Sequence, residues 1–468
     1  MISEPQTIKP EEIPEILAQK FSAEKAITCY IGSNAATPTA SILALVGAIK
    51  SRRPRLPFMK MVHLLLQGPV PYVEPGLQDR VMAYSIFSSG QVRQAANEGR
   101  AYYLPCTLAH LDALIGKGEK YEPDAVIMKV SQNPHTGEFS LGLSVEALHT
   151  AIECAKVVIA ELDPSMPFTQ GQSIVAAQSI NYLIRDGVKP VYEFPAPDFE
   201  NLPDRERRIG ELITEYFIRD GITLQVGIGK IPDAVIGVIK GSGCKNLGVQ
   251  TELYGDGLML LQQTGIITNR QKKINPGYST TSLIMGSRAL YDYVHMRNGV
   301  QMRPSAYTNA SETIRKNSPF ISVNTAFGID LFGNVWADFI DPRRYYSGVG
   351  GQPDFIRAVN HRNYGTAIIA IKSTTDKGRS KIVKRHPPGV SLTASAYDGI
   401  VVATEYGLAD LRGLSTGNKA VAIAGIAHPD YRDKLLRYIV DNPFFTKPFD
   451  FSLNTPPYGV AMYRDLPR

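Results

Sequence analysis

The apolar positions of this chain follow two rhythms. Between residues 209 and 217, Ile209, Leu212, Ile213, Tyr216 and Phe217 stand at i, i+3, i+4, i+7 and i+8, the spacing that turns one face of an α-helix toward a core. Elsewhere short, almost unbroken apolar runs predict buried strands: within YEPDAVIMKVSQ (121–132), in KVVIAEL (156–162) and in ITLQVGIG (222–229). Further runs predict strands at 322–329, 365–373, 399–405 and 420–426 (AVAIAGI). ALHTAIECA (147–155) and PDAVIGVIKG (232–241) read as helices between strands, the second with proline in its first turn and glycine at its end. Strands alternating with helices imply βαβ units, so the expected class is α/β with largely parallel sheets.

One segment breaks both rhythms. Residues 190–203 hold four prolines and no sustained period, which marks an extended linker. The expected organisation is therefore an α/β domain over 1–190, a proline-rich linker over 191–205 and a second α/β domain over 206–468. A length of 468 residues suits two or three cores better than one.

Composition narrows the partners. A chain that is 44% hydrophobic and 20% charged has the make-up of an ordinary soluble globular protein. It contains no run of about 18 apolar residues, so no membrane span is expected. The N-terminus (MISEPQTIKPEEIPEIL) lacks the basic-then-apolar order of a secretory signal, and the cytoplasm is the expected location. Four widely spaced cysteines, Cys29, Cys106, Cys154 and Cys244, offer neither a zinc pattern nor a disulfide framework, and read as small buried hydrophobes in a reducing compartment. The formal charge of +6 comes from scattered Lys and Arg, which argues against nucleic acid. Clusters such as Lys377-Gly-Arg379-Ser-Lys381 and Lys384-Arg385-His386 could attract a smaller polyanion such as the phosphates of a nucleotide cofactor, or simply form a solvated face.

Three segments carry candidate chemistry. In QVGIGKIPDAV (225–235), Gly227 and Gly229 follow a strand and open a helix whose free amides favour anions. The loop could hold phosphate or the amides of a pantetheine arm; a dinucleotide loop would need a third glycine that is absent here, and a plain packing turn is the alternative. In SGVGGQPDF (347–355), Gly348, Gly350 and Gly351 leave backbone N–H groups free to converge on a developing oxyanion. A flexible surface loop is the alternative, countered by the apolar pattern that resumes at once. In the stretch from Lys245 to Gly257, a short apolar run ends on Glu252 and meets a glycine turn. A carboxylate at the carboxyl end of a buried strand stands where open α/β sheets bind ligands. Alone it would read as a solvated loop charge.

These motifs together resemble the acetyl-CoA hydrolase/transferase family, whose members include 4-hydroxybutyrate and butyrate:acetate CoA-transferases. The resemblance runs in order through NEGRAYYLP (97–105), residues 141–171, LQVGIGKIPDAV (224–235), GVQTE (248–252), YSGVGGQPDFIR (346–357), TEYGLADLRGLS (404–415) and IAHPDYRDKL (426–435). It implies two related open α/β domains of the CoA-transferase type with the active site between them, and a homodimer or larger assembly. It implies that Glu252 forms a covalent thioester with coenzyme A, that Asn309 and Gly350 help hold the oxyanion, and that Gly229, Lys230, Ile231, Pro232 and Asp233 form the coenzyme-binding turn. Gly351 and Lys377 join the coenzyme contacts on the same grounds. No permanently bound cofactor or metal is implied; coenzyme A and acyl-CoA are substrates, with small carboxylic acids as partners.

The chain departs from the family pattern at Lys230, where a small residue is usual, at Gln250, where histidine commonly precedes the Thr-Glu pair, and in SLTASAYDG (391–399), which lacks a usual Pro-Arg. These departures bear on the choice of acid. The expected activity is transfer of coenzyme A between acids such as acetate and butyrate or 4-hydroxybutyrate. A hydrolase on the same scaffold and a transferase for itaconate or succinate are the alternatives. A non-catalytic binder of coenzyme A or a dinucleotide would have no need of a carboxylate at Glu252.

Overall fold

The computed structural model describes residues 4–359 and 364–445. Among them, the first half builds a ten-stranded sheet. Its main path runs Gln6–Ile8, Tyr182–Ile184, Val157–Leu162, Ala125–Gln132, Ile27–Ile31, Met59–His63, Val81–Ser85 and Ala101–Tyr103, and each neighbouring pair is parallel. The strands Ile27–Ile31 and Ala125–Gln132 are mostly apolar and buried on both faces, as in a sheet covered on both sides.

The second half builds a six-stranded sheet in the order Gly248–Val249, Thr223–Val226, Phe320–Asn324, Gly365–Ala370, Ile400–Thr404 and Gly407–Asp410. Its members are parallel except the last pair, a hairpin. Helix Asp204–Phe217 buries Ile209, Leu212, Ile213 and Phe217, each such side chain contributing about 1.5–3 kcal/mol. It crosses helix Lys230–Gly241 closely: a Cβ on Gly210 would sit 2.9 Å from the carbonyl oxygen of Ala234. One apolar cluster runs through both halves, from Tyr30 and Val126 to Ile213, Leu224 and Val401.

Each sheet has one place where strand order reverses. In the first it lies between Ile27–Ile31 and Ala125–Gln132; in the second it lies between Thr223–Val226 and Phe320–Asn324. Loops leaving the carboxyl ends of strands at such points diverge and leave a crevice for ligands. Here they are Gly32-Ser33-Asn34 and Gly227-Ile228-Gly229.

Two local expectations need correction. The run AVAIAGI, read as a strand, lies in helix Thr416–Gly425, capped by the Ser415 side chain, which accepts from the Asn418 N–H. An apolar run buried all round has no visible period, and Ala420, Ala422 and Ala424 are good helix formers. The stretch 322–329 is also not one strand: Phe320–Asn324 ends in the large sheet, and Gly328–Asp330 starts a separate three-stranded one. The other predicted segments fall on elements of the expected type, Leu148–Cys154 and Lys230–Gly241 as helices, Gly365–Ala370 and Ile400–Thr404 as strands.

Candidate active site

Glu252 is fixed from both sides before its side chain is considered. Gly248–Val249 precedes it, Leu253–Tyr254 follows and pairs with Leu283–Ile284. Its own carbonyl oxygen accepts from the Leu283 N–H at 2.9 Å and from the hydroxyls of Thr281 and Ser282, both at 3.0 Å. With the main chain so anchored, the carboxylate projects into the wall of a cavity of about 780 Å³. Walls from both halves line it: Phe87, Ser88 and Arg93 from the first, and Gln225, Asn324 and the glycine loops from the second.

The carboxylate has few partners. Asn309 donates its Nδ2 to Oε2 of Glu252 at 3.3 Å, and the Gly351 N–H also reaches it. Asn309 itself is fully buried; Thr308 donates its hydroxyl to Asn309 Oδ1 at 2.8 Å, and Nδ2 also reaches Asp354 Oδ2 at 3.2 Å. Burial pushes the Glu252 carboxyl up to about 7; the Asn309 hydrogen bond opposes the shift, and the nearby Asp354 carboxylate adds to it. Asp354 is likewise raised by burial, against hydrogen bonds from Thr107, the Ala109 N–H and Asn309.

The loop 347–351 meets Glu252 because its glycines allow it. A Cβ on Gly348 would lie 2.3 Å from the Ile86 carbonyl oxygen, and one on Gly351 would lie 2.0 Å from Asn309 Nδ2 and 2.1 Å from Glu252 Oε2. Gly350 adopts φ +57°, a left-handed conformation that favours glycine, and runs beside Glu252 Oε1. The amide that bonds the carboxylate is that of the next residue, Gly351.

The other turn lies on the same cavity. Gly229, with φ +116°, caps helix Lys230–Gly241, and Gly227, Gly229, Lys230 and Ile231 line the large cavity. Pro232 and Asp233 line an adjoining one of about 200 Å³. Burial and then Asp256 push the Asp233 carboxyl up to about 6. Lys377 is exposed and absent from the lining residues, whereas Lys372 and Lys381 on the same turn region are among them. Lys372 pairs with Glu206 at 3.3 Å, and Lys381 donates to the Ala326 carbonyl oxygen at 3.2 Å.

Both halves of the chain match known family models. Residues 12–194 match the acetyl-CoA hydrolase/transferase N-terminal domain, and residues 286–439 match the C-terminal domain of that name. The chain belongs to the acetyl-CoA hydrolase/transferase family. Within the family it is 37% identical over 393 residues to the 4-hydroxybutyrate coenzyme A transferase of Clostridium kluyveri, an alignment covering 84% of this chain and 90% of that protein. It is 34% identical over 415 residues to the succinyl-CoA:acetate/propanoyl-CoA:succinate CoA transferase of Fasciola hepatica, covering 88% and 84%. The crystal structure of 4-hydroxybutyrate CoA-transferase from Porphyromonas gingivalis superposes with a TM-score of 0.76 at 29% identity, covering 93% of this chain and 97% of that one. Glu252 lies between the two stretches that the family models match.

Several residues at or just behind the cavity wall give little local signal in the sequence. Nothing in Gln352-Pro-Asp-Phe signals that the Asp354 carboxylate meets Asn309. Gln225, Ser322 and Asn324 form a buried network at the carboxyl ends of two central strands: Ser322 donates its hydroxyl to Gln225 Oε1 at 2.6 Å, and Asn324 Nδ2 reaches the same oxygen at 3.0 Å. Polar residues inside otherwise apolar strands were the available signal.

Proposed function

We propose that this protein transfers coenzyme A between short-chain carboxylic acids, such as acetate and butyrate or 4-hydroxybutyrate, with Glu252 as the covalent carrier. The observation that carries the reading is a half-buried carboxylate at a cavity wall, touched by one side-chain amide and one backbone N–H. Ionised Glu252 attacks the thioester carbonyl of the acyl-CoA, and the C–S bond breaks to release the coenzyme thiolate and leave a mixed anhydride. The thiolate attacks the glutamyl carbonyl, expelling the first acid as carboxylate and leaving a glutamyl thioester. The incoming carboxylate attacks this thioester, forming a second anhydride and freeing thiolate, which then takes the new acyl group and regenerates Glu252.

Negative charge builds twice on an oxygen of the glutamyl group itself, where Asn309 Nδ2 and the Gly351 N–H already point. Donors in place before reaction cost no reorganisation when charge develops. A cavity of about 780 Å³ suits a long ligand held at several points, with the glycine turn 227–229 and Lys372 and Lys381 on its walls. The crowding around Glu252 restricts water, which favours transfer over hydrolysis of the anhydride. Incubation with acetyl-CoA, with and without butyrate, tests the reading. Formation of butyryl-CoA with little free coenzyme A in its absence is expected; rapid coenzyme release without any acceptor acid would make the protein a hydrolase.

A further inference from the structure

Gln250 precedes Glu252 by two residues, is fully buried, and takes no part in the chemistry described above. Its main chain is held by the sheet, the N–H donating to the Leu224 carbonyl oxygen at 3.2 Å. Its side-chain amide reaches the segment that carries Asn309, where Nε2 donates to the Thr308 carbonyl oxygen at 2.9 Å. That carbonyl ends the short helix Ser305–Thr308, a place where carbonyl oxygens run out of partners along the helix.

The direction of this bond is set from outside the site. The backbone N–H groups of Lys273 and Ile274 both donate to Asn317 Oδ1 at 3.0 Å. The other end of that amide must then be the donor, and Asn317 Nδ2 meets Gln250 Oε1 at 2.7 Å. Gln250 is left with Nε2 facing Thr308. Beyond it, the peptide unit that joins Thr308 to Asn309 is gripped at both ends: Gln250 holds the carbonyl, and the Asn309 N–H donates to the Ser305 carbonyl oxygen at 2.9 Å. A planar unit held at both ends fixes where the Asn309 side chain starts. The Thr308 hydroxyl, 2.8 Å from Asn309 Oδ1 and 3.4 Å from the Ser305 carbonyl oxygen, then sets which end of the Asn309 amide faces Glu252. Gln250, Thr308, Asn309 and Asn317 are all buried, so a lost partner leaves a polar atom unpaired where that is costly.

We infer that Gln250 is a positioning residue for the transfer reaction, holding the Thr308–Asn309 peptide so that Asn309 Nδ2 meets the Glu252 carboxylate. It acts through Asn309 rather than on Glu252 itself. The inference rests on Glu252 being the covalent carrier and Asn309 a donor to it. It also gives a role to a position where this chain departs from the family pattern, glutamine standing where histidine is usual. An amide keeps one donor end and one acceptor end throughout the neutral pH range, so the order of these bonds does not reverse with pH.

The test measures, on the full chain, the single-turnover rate at which acetyl-CoA alone labels Glu252, together with the calorimetric affinity for free coenzyme A. Gln250→Met keeps the length of the side chain and removes both of its polar ends. It is expected to slow labelling about tenfold to a hundredfold, while affinity changes by less than about threefold. In the Asn309→Ala background the same substitution is expected to slow labelling by less than about threefold further, because the group through which Gln250 acts is already gone. A merely structural fault would slow both backgrounds alike. Labelling within about threefold of native in a folded Gln250→Met protein, or equal losses in the two backgrounds, overturns the inference. Should Gln250→Met not fold, Asn317→Ala, which leaves Gln250 in place and unties its amide, is judged by the same two criteria. A native protein labelled at Glu252 with Gln250→Met unaffected sinks only the positioning role, whereas turnover without any label on Glu252 sinks the carrier reading and the inference with it.

Discussion

The side-chain amide of Asn309 stands 3.3 Å from Oε2 of Glu252, and its orientation is fixed by the Thr308 hydroxyl at its other end. A donor held this way acts most strongly when charge grows on the glutamyl oxygen, so its loss should be felt in the transition state more than in coenzyme binding. Asn309→Ala is expected to lower kcat by about 10² to 10³ with affinity for free coenzyme A nearly unchanged. Calorimetry and steady-state kinetics on one preparation check this; lost affinity with intact kcat would make Asn309 a coenzyme contact.

Gly351 offers a steric test of the same pair. A methyl group there would fall within about 2 Å of both Asn309 Nδ2 and Glu252 Oε2, while the backbone needs no special conformation. Overpacking of this kind costs about 1–3 kcal/mol, and the two side chains that must move are those of the site. Gly351→Ala should therefore fold, with a modest fall in melting temperature, and lose activity by at least about a hundredfold. Retention of most of the activity would show that the Asn309–Glu252 geometry is not required.

The pH dependence follows from the same crowding. Burial, with Asp354 adding to it, raises the Glu252 carboxyl to about 7, so the rate of adduct formation should rise with pH and level off above about 7. Asp354→Asn removes a like charge while keeping an oxygen for the Ala109 N–H, and should move that midpoint to lower pH. For stability, a carboxyl raised in the folded state contributes fully below its unfolded value of about 4.3, and that contribution is lost as pH rises through about 7. Glu252→Gln should therefore be more stable than the native protein at pH 8, by on the order of 1–3 kcal/mol, with the difference fading toward pH 4. Thermal denaturation at the two pH values checks the sign.

The lysines of the region 372–381 can be told apart. Lys381 lines the large cavity and Lys377 is exposed outside it. Lys381→Ala is expected to weaken coenzyme A binding about tenfold, since hydrogen bonds to charged groups contribute about 1.5–3 kcal/mol, and Lys377→Ala to leave it unchanged. Equal losses in titrations of both variants would return Lys377 to the coenzyme site.

The sequence made the α/β class legible because strands buried on both faces produce apolar runs, and because the amphipathic stripe from Ile209 to Phe217 has an unmistakable period. Glu252 and the two glycine turns were legible for a related reason: glycine and charge at the ends of apolar runs are local signals. What stayed hidden was long-range. Asp354 meets Asn309 across 45 residues, and the Ser33 hydroxyl donates to the buried Glu146 carboxylate across 113. No local pattern encodes either. The helix Thr416–Gly425 reads as a strand because burial on nearly all sides erases periodicity, leaving only the Ser415 cap to announce it.

Peptide mass analysis after incubation with acetyl-CoA alone shows whether Glu252 carries coenzyme A covalently. The proposed half-reaction needs no acceptor acid, so reductive trapping with borohydride should leave a mass change confined to the peptide that contains Glu252, and removal of unreacted acetyl-CoA followed by butyrate before trapping should erase it. A change on another peptide, or none while transferase activity persists, would show that Glu252 is not the carrier.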